Sequence, residues 1–127
     1  MLKISIITVC FNAEKYIEQT IKSVTEQKKG DIEYIVIDGA STDRTLSIIK
    51  RYESQITVWI TEADNGIADA MNKGIKAATG DYVMFLNADD YFQASNAISM
   101  ATSYMEEGKD IYIFDTIFLK EEGGVRR

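Results

Sequence analysis

The stretch IEYIVIDGASTDRTLSII, residues 32–49, decides the fold class of this chain. Residues 32–38 form an almost continuous apolar run with several β-branched side chains, which predicts a strand buried on both faces. GASTD, residues 39–43, predicts a turn whose Ser41, Thr42 or Asp43 caps the next helix. Apolar residues then recur at helical spacing. A buried strand, a short turn and a helix are the repeating unit of an α/β sheet.

The same unit recurs along the whole chain. Apolar runs predict further strands at residues 2–9, 56–61, 82–86 and 110–119. Helical spacing predicts further helices over residues 12–27, 65–78 and 95–107. This alternation with short connections predicts a mostly parallel sheet with helices on both faces. With 127 residues, the chain is expected to be a single α/β domain, 1–127.

Composition excludes several classes of function. A formal net charge of -6 argues against a nucleic-acid partner, because phosphate binding needs clustered Lys and Arg. The absence of histidine excludes Ser–His triads and His-ligated zinc. Cys10 is the single cysteine, so a reducing compartment is the natural setting. No apolar run approaches the roughly 20 residues that cross a bilayer. We therefore expect a cytoplasmic protein, with association at the inner face of a membrane left open.

Polar side chains follow four of the predicted strands. Thr8 is placed at the exit of the first strand, Asp38 at that of the second and Asp64 at that of the third. Asn87 and the pair Asp89-Asp90 follow the fourth. Ligands of open α/β sheets bind beyond the carboxyl ends of the strands. If the strands are parallel, these groups converge on one edge and form a binding site.

Each of these residues also has an ordinary structural interpretation. A strand-end threonine such as Thr8 is usually β-branched filler. Asp38 either accepts backbone amides in its turn or accepts the imide N–H of a uracil ring. Asp64 either caps the next helix or contacts a nucleoside. Asp89 and Asp90 are either a solvated acidic pair or ligands of Mg²⁺ or Mn²⁺, since hard oxygen ligands select such ions. Lys73, on that next helix, is expected to face solvent, with contact to a phosphate as the alternative.

In its motifs the sequence resembles the family 2 glycosyltransferases, which have the Rossmann-like GT-A fold. The motifs are ISIITVCFN, YIVIDGASTDRT and TEADNGIADAMNKGIKAATGDYVMFLNADD, and they cover nearly the whole chain in order. The resemblance implies that Thr8, Asp38 and Asp64 contact the nucleoside of a donor. Asn87-Ala88-Asp89 falls at the DxD motif, with Asp89 as the metal ligand beside Asp90. It further implies Mn²⁺- or Mg²⁺-dependent transfer from a nucleotide-diphosphate sugar, expected to be a UDP-sugar, usually with inversion.

The sequence departs from the family pattern at several positions. The frequent double Asp of the second motif is Asp38-Gly39 here, and the first DxD position is Asn87. The acceptor-side half, which supplies the catalytic base, has no counterpart: Glu121 and Glu122 do not match its motif. No catalytic base can be named. The chain therefore resembles the N-terminal, donor-binding part of a longer glycosyltransferase domain, which makes it a truncated form, a fragment or a degenerate gene product.

Two alternatives to an enzyme remain open at this stage. A receiver-like signalling domain has similar size, but it needs an acidic pair after the first strand, where this chain reads Thr8-Val9-Cys10-Phe11. A non-catalytic nucleotide-binding or interaction module fits the missing base. The glycosyltransferase interpretation predicts a saccharide or lipid-linked acceptor in the synthesis of cell-surface or extracellular polysaccharide. It leaves self-association into a homo-oligomer open.

Overall fold

Four parallel strands form the sheet that organises the molecule. The computed structural model describes residues 2–111 and two short strands, Phe118–Leu119 (β5) and Val125–Arg126 (β6). The strands of the main sheet are β1 Lys3–Cys10, β2 Asp31–Asp38, β3 Val58–Thr61 and β4 Tyr82–Phe85. They lie in the order β3-β2-β1-β4, and every pairing is parallel. The α/β fold class predicted from the alternation of elements is confirmed.

Helices cover both faces of this sheet. They are α1 Ile17–Thr25, α2 Thr45–Arg51, α3 Ile67–Ala77 and α4 Ala97–Met105, with a short 3-10 turn at Glu53–Gln55. Buried residues of α1, α2 and α4 pack together with the even-numbered side chains of β1 on one face. Helix α3 covers the other face, where its Ala70 packs with Ile7 and Val9. In the described part of the chain, no helix is both long enough and apolar enough to span a bilayer.

The two central strands are held in register over their full length. Lys3 pairs with Asp31 and Cys10 pairs with Asp38 at the two ends of the β1–β2 ladder. Five of their isoleucines, Ile4, Ile6, Ile7, Ile35 and Ile37, are almost completely buried, and burying such a side chain stabilises the fold by about 1.5–3 kcal/mol. Helix α3 approaches β1 closely at Gly74, where an added Cβ would lie 2.5 Å from Cγ2 of Ile7. The core therefore fixes both the strand register and the position of α3.

A buried carboxylate ties together the amino-terminal edge of the sheet. Glu33 accepts hydrogen bonds from the N–H and hydroxyl of Thr79 (3.0 and 2.7 Å) and from the hydroxyl of Ser5 (3.1 Å). Lys3 Nζ lies 3.6 Å from the same oxygen. Burial alone would raise the pKa of Glu33, but these hydrogen bonds and the lysine charge lower it below its ordinary value. This cluster anchors the α3–β4 connection.

Two elements differ from the sequence expectation. Helix α1 begins at Ile17 instead of near residue 12, because Asn12 adopts a left-handed φ of 47° and the next residues form turns. The predicted strand 110–119 falls mostly on residues 112–117, which lie outside the described residues. Its last two residues form β5, which pairs antiparallel with β6. Glu121 and Glu122 also lie outside the described residues.

Candidate functional site

The parallel strands bring the predicted polar residues to one edge of the sheet. Asp38 ends β2, Asp64 follows β3, and residues 87–90 follow β4. The backbone N–H of Glu62 donates to the carbonyl of Asp38 (3.0 Å), which holds the exit of β3 beside that of β2. We call this edge the carboxyl rim, comprising residues 10–14, 38–43, 62–66 and 87–90. The predicted placement of strand exits at one edge is therefore present for β2, β3 and β4.

Asp38 is sealed inside its own turn. Its side chain is 0% exposed. Oδ2 accepts the N–H of Ser41 (2.9 Å), Oδ1 accepts the Ser41 hydroxyl, and the Cys10 thiol lies 3.5 Å from Oδ1. The structure thus shows the turn interaction that the sequence offered as one of two alternatives. Contact between Asp38 and a nucleobase stays a prediction, and it requires the Ser41 turn to open.

Thr8 lies inside β1 and not at its exit, which corrects the sequence-based placement. Strand β1 continues to Cys10, so the side chain of Thr8 points into the core and is 0% exposed. Its hydroxyl shares a hydrogen bond of 2.9 Å with the hydroxyl of Tyr34. Burial raises the pKa of Tyr34. Thr8 therefore satisfies a buried tyrosine, and its predicted nucleoside contact has no support from its position.

Asp64 lies beside the exit of β2, directly against Gly39. A Cβ added at Gly39 would lie 2.7 Å from Oδ2 of Asp64. The other oxygen, Oδ1, accepts the N–H of Gly66 (3.0 Å) just before α3. The backbone N–H of Asn65 donates to a carboxylate oxygen of Asp69 (3.0 Å). Asp64 thus shapes the loop before α3 and remains half-buried at the rim.

Lys73 braces the loop that carries Asp64. The prediction that it faces solvent is wrong: its side chain is only 21% exposed. Its Nζ donates to the carbonyl of Ala63 (3.1 Å) and lies 3.2 Å from a carboxylate oxygen of Glu62. Because the half-buried charge of Lys73 is satisfied by several partners, the loop has a defined position. Sequence periodicity gave no sign of this contact, which connects a helix to the preceding loop.

The loop after β4 presents the paired carboxylates. Asp89 and Asp90 are exposed, whereas Ala88 is buried. Burial and the neighbouring charge of Asp89 raise the pKa of Asp90. The hydroxyl of Thr20 on α1 lies 2.9 Å from the carbonyl oxygen of Ala88 and 2.5 Å from that of Asp90. Thr20 therefore holds the loop against α1, a function that the sequence alone did not reveal.

Asn87 carries an unsatisfied polar atom at the rim. Its Oδ1 is buried and has no hydrogen-bond partner within the described structure. Leaving a buried acceptor without a partner costs about 1–3 kcal/mol, and such groups in folded proteins call for an explanation such as a water or a ligand. Asn87 is therefore a residue whose acceptor is available to a donor group on a bound molecule.

The residues at the rim fit a divalent cation that is shared with a ligand. Among the described residues, no group of three His, Cys, Asp or Glu side chains is arranged to hold a metal ion by itself. Mg²⁺ usually takes only one or two protein carboxylates and completes its shell with water and substrate phosphates. Asp89 and Asp90, adjacent and exposed, supply that donor set. Two carboxylates fit a cation that is bound together with a diphosphate better than they fit an ion enclosed by protein ligands alone.

The loops after β1 and β2 hold each other in place. Asn12 Oδ1 accepts the N–H of Thr42 (2.8 Å), and the Ser41 hydroxyl accepts the N–H of Asn12 (2.8 Å). The Cys10 thiol lies nearby. Its pKa is raised mainly by burial and, to a smaller extent, by the negative charge of Asp38. A thiol with a raised pKa is a poor nucleophile, so Cys10 serves as a small buried side chain.

Comparison with known proteins identifies the family. Residues 5–127 match the family model described as glycosyl transferase family 2. The chain belongs to this family. The match covers more than half of the chain, and it favours the glycosyltransferase interpretation over the receiver-like alternative.

Family relatives are longer than this chain. It is 35% identical over 124 residues to the putative teichuronic acid biosynthesis glycosyltransferase TuaG of Bacillus subtilis, covering 95% of this chain and 49% of that protein. It is 30% identical over 118 residues to the poly(ribitol-phosphate) beta-N-acetylglucosaminyltransferase TarS of Staphylococcus aureus, covering 89% of this chain and 21% of that protein. The chain thus spans less than half the length of these two relatives.

Solved structures of family relatives share the fold. S. aureus TarS 1-349 in complex with UDP-GlcNAc superposes with a TM-score of 0.76 at 29% identity, over 84% of this chain and 32% of that one. The mannosyltransferase PcManGT of Pyrobaculum calidifontis, in complex with GDP-Man and Mn²⁺, superposes with a TM-score of 0.73 at 27% identity, over 80% and 32% of the two chains. The GT-A architecture expected from the motifs is therefore confirmed.

Proposed function

We propose that this chain is the nucleotide-sugar-binding part of a glycosyltransferase that moves a sugar from a nucleotide-diphosphate donor to an acceptor hydroxyl. The proposal depends on one observation: a parallel sheet brings Asp64, Asn87 and the pair Asp89-Asp90 to the same edge. We take the donor to be a UDP-sugar and the transfer to be inverting. The acceptor is a saccharide or a lipid-linked carrier in the synthesis of cell-surface or extracellular polysaccharide.

Separate parts of the rim would bind separate parts of the donor. Asp64 faces the nucleoside side, between the exits of β2 and β3. The unpartnered Oδ1 of Asn87 accepts a ribose hydroxyl. Asp89 and Asp90 hold Mn²⁺ or Mg²⁺. Such an ion, when bound, stabilises the negative charge that grows on the leaving diphosphate. Thr20 keeps the carboxylate loop in place for this contact.

Two relatives support the choice of ligand. TarS has been crystallised with UDP-GlcNAc, which is a uridine nucleotide sugar. PcManGT has been crystallised with GDP-Man and Mn²⁺, which is a nucleotide sugar together with a divalent cation. Both superpose on the sheet whose carboxyl rim carries the residues named above. The chemistry of the rim, which consists of hard oxygen donors, agrees with such a ligand pair.

We further propose that residues 1–127 are the N-terminal part of a longer glycosyltransferase domain. Strand β4 carries apolar side chains on both faces, which is typical of an interior strand of a parallel sheet, yet Val83 is 40% exposed. A cavity of about 290 Å³ lies along β4, between it, Met105 and the 78%-exposed Ile111. The remainder of such a domain would cover this surface and supply the catalytic base. We place the protein in the cytoplasm, where nucleotide sugars are made, with contact to the inner membrane face through a lipid-linked acceptor.

Calorimetric titration of the chain with UDP tests the proposal. We expect binding in the presence of Mn²⁺ and a loss of affinity of about tenfold or more on Asp89→Ala, since hydrogen bonds and ion contacts to charged groups contribute about 1.5–3 kcal/mol. Asp31→Ala is the matched control, because Asp31 is an exposed aspartate at the opposite end of β2.

The outcomes separate the competing functions. Failure to bind UDP or GDP with any divalent cation would refute the donor-binding function. Nucleotide binding by the full-length protein without sugar transfer would instead favour the non-catalytic nucleotide-binding module.

A further inference from the structure

Gly39 leaves a space that Asp64 fills. A Cβ at position 39 would lie 2.7 Å from Oδ2 of Asp64 and 3.3 Å from its Cγ. Both distances are shorter than ordinary van der Waals contact. The carboxylate of Asp64 can therefore occupy its observed place only because residue 39 has no side chain. This contact joins the exit of β2 to the loop between β3 and α3.

Conformational freedom is not the reason for a glycine at this position. The φ angle of Gly39 lies outside the left-handed region that favours glycine, unlike those of Gly30, Gly66 and Gly108. Alanine can adopt the backbone conformation of residue 39 without strain. The atoms that an added Cβ would meet belong to the end of a flexible side chain. A substitution would therefore move the Asp64 carboxylate and leave the fold intact.

The two neighbouring carboxylates differ in their availability to a ligand. Asp38 is 0% exposed, and both of its oxygens are engaged by Ser41. Asp64 is half-buried at the rim, and a single backbone N–H, that of Gly66, occupies its Oδ1. A carboxylate that keeps free acceptor capacity beside a sealed one is the group that a nucleoside N–H or hydroxyl can reach.

We propose that Gly39 is a positioning residue that seats Asp64 over the end of β2, and that Asp64, not Asp38, is the carboxylate that recognises the nucleoside. This inference rests on the proposed nucleotide-binding function and adds the residue pair on which recognition depends. Gly39 touches no ligand itself, since its contribution is the space that it leaves. The pairing links two loops that are far apart in sequence and adjacent at the rim.

Binding of two nucleotides by five variants tests this pairing. The probes are UMP in EDTA, which reports the nucleoside contact without a metal ion, and UDP with Mn²⁺. We expect Gly39→Ala and Asp64→Asn each to weaken both probes by about tenfold or more, the range of a charge-assisted hydrogen bond. Asp64→Asn keeps an Oδ1 for the Gly66 N–H, so the loop is preserved. Asp89→Ala, by contrast, should weaken UDP with Mn²⁺ and spare UMP.

The double variant decides whether Gly39 acts through Asp64. If it does, Gly39→Ala has no further effect in the Asp64→Asn background. Asp31→Asn is the matched control, because it removes an exposed carboxylate at the opposite end of β2, and it should bind as the unaltered chain does. Thermal unfolding of Gly39→Ala should occur at the same or a higher temperature, which separates displacement of a carboxylate from loss of the fold.

The pairing would be overturned if Gly39→Ala bound nucleotide as the unaltered chain does. It would also be overturned if Gly39→Ala lowered the affinity equally in the unaltered and the Asp64→Asn backgrounds. Either result would leave the proposed function intact. Absence of nucleotide binding by the unaltered chain would overturn the proposed function and the pairing together.

Discussion

Gly74→Ala should destabilise the fold although alanine is the better helix former. The Cβ would lie 2.5 Å from Cγ2, 3.1 Å from Cδ1 and 3.3 Å from Cγ1 of Ile7. Carbon atoms in contact prefer 3.5–4.0 Å, so the closest pair is short by about 1 Å. Ile7 is fully buried in β1, between β2 and β4, and it cannot move aside cheaply. Overpacking of this kind costs about 1–3 kcal/mol, and we expect a value near the upper end.

The helix propensity of alanine offsets part of this cost. Replacing glycine by alanine within a helix contributes about 1 kcal/mol, which leaves a net destabilisation of about 2 kcal/mol. For a chain of this size, that corresponds to a fall in Tm of about 8 °C. Urea unfolding followed by circular dichroism gives the free energy of unfolding directly. Asn72→Ala is the matched control: Asn72 is exposed on α3, so this change gains propensity without meeting another atom.

The close packing of α3 on β1 would be refuted if Gly74→Ala were as stable as the unaltered chain or more stable. In that case Gly74→Ala would behave like the control Asn72→Ala. A second test uses the contact partner. In an Ile7→Ala background the clashing atoms are gone, so Gly74→Ala should lose most of its cost. Equal costs in both backgrounds would show that the destabilisation has another origin.

Two further predictions concern stability. The pKa of Glu33 is lowered in the folded chain, so the stability that Glu33 contributes is fully present above the ordinary carboxyl pKa and is lost as the pH falls through the folded value. Glu33→Gln should therefore be clearly less stable than the unaltered chain at pH 7, and the difference in urea midpoints should shrink toward pH 3. A difference that stays constant with pH would contradict this interpretation. Ala40 has a left-handed φ of 66°, which costs a non-glycine residue about 1–2 kcal/mol. Ala40→Gly should therefore raise the free energy of unfolding by about 1 kcal/mol. A decrease in that free energy would show that the backbone at Ala40 carries no strain.

The fold could be predicted from sequence because its signals are local. The continuous apolar runs of β1 and β2 and the turn at residues 39–43 are visible in short windows, and each predicted element in residues 2–107 is present. Boundaries were less accurate where tertiary bonds compete with helix formation. Asn12 and the residues after it donate to the loop after β2 and to the start of α2, for example Ala13 N–H to the Thr45 hydroxyl (2.8 Å), and this delays the start of α1.

The candidate site was predicted only as a set of strand exits. Parallel pairing was enough to place Asp64 and Asp89 at one edge. It could not reveal that β1 continues to Cys10, which leaves Thr8 two residues inside the strand, because local patterns do not fix the ends of a strand to the residue. The contacts of Gly39 with Asp64 and of Thr20 with the loop after β4 join segments distant in sequence, so no local pattern reports them.

The buried Glu33 cluster lies at the end of the sheet opposite to the carboxyl rim, and this separation bears on how the protein can change. Substitutions near Ser5, Glu33 and Thr79 are expected to alter the stability of the fold without touching the groups proposed to bind a donor. Mutational libraries could therefore be divided by sheet end: one end for tolerance to heat and acid, the other for the choice of nucleotide. Stabilising substitutions at the first end would then offset the loss of stability caused by substitutions at the second.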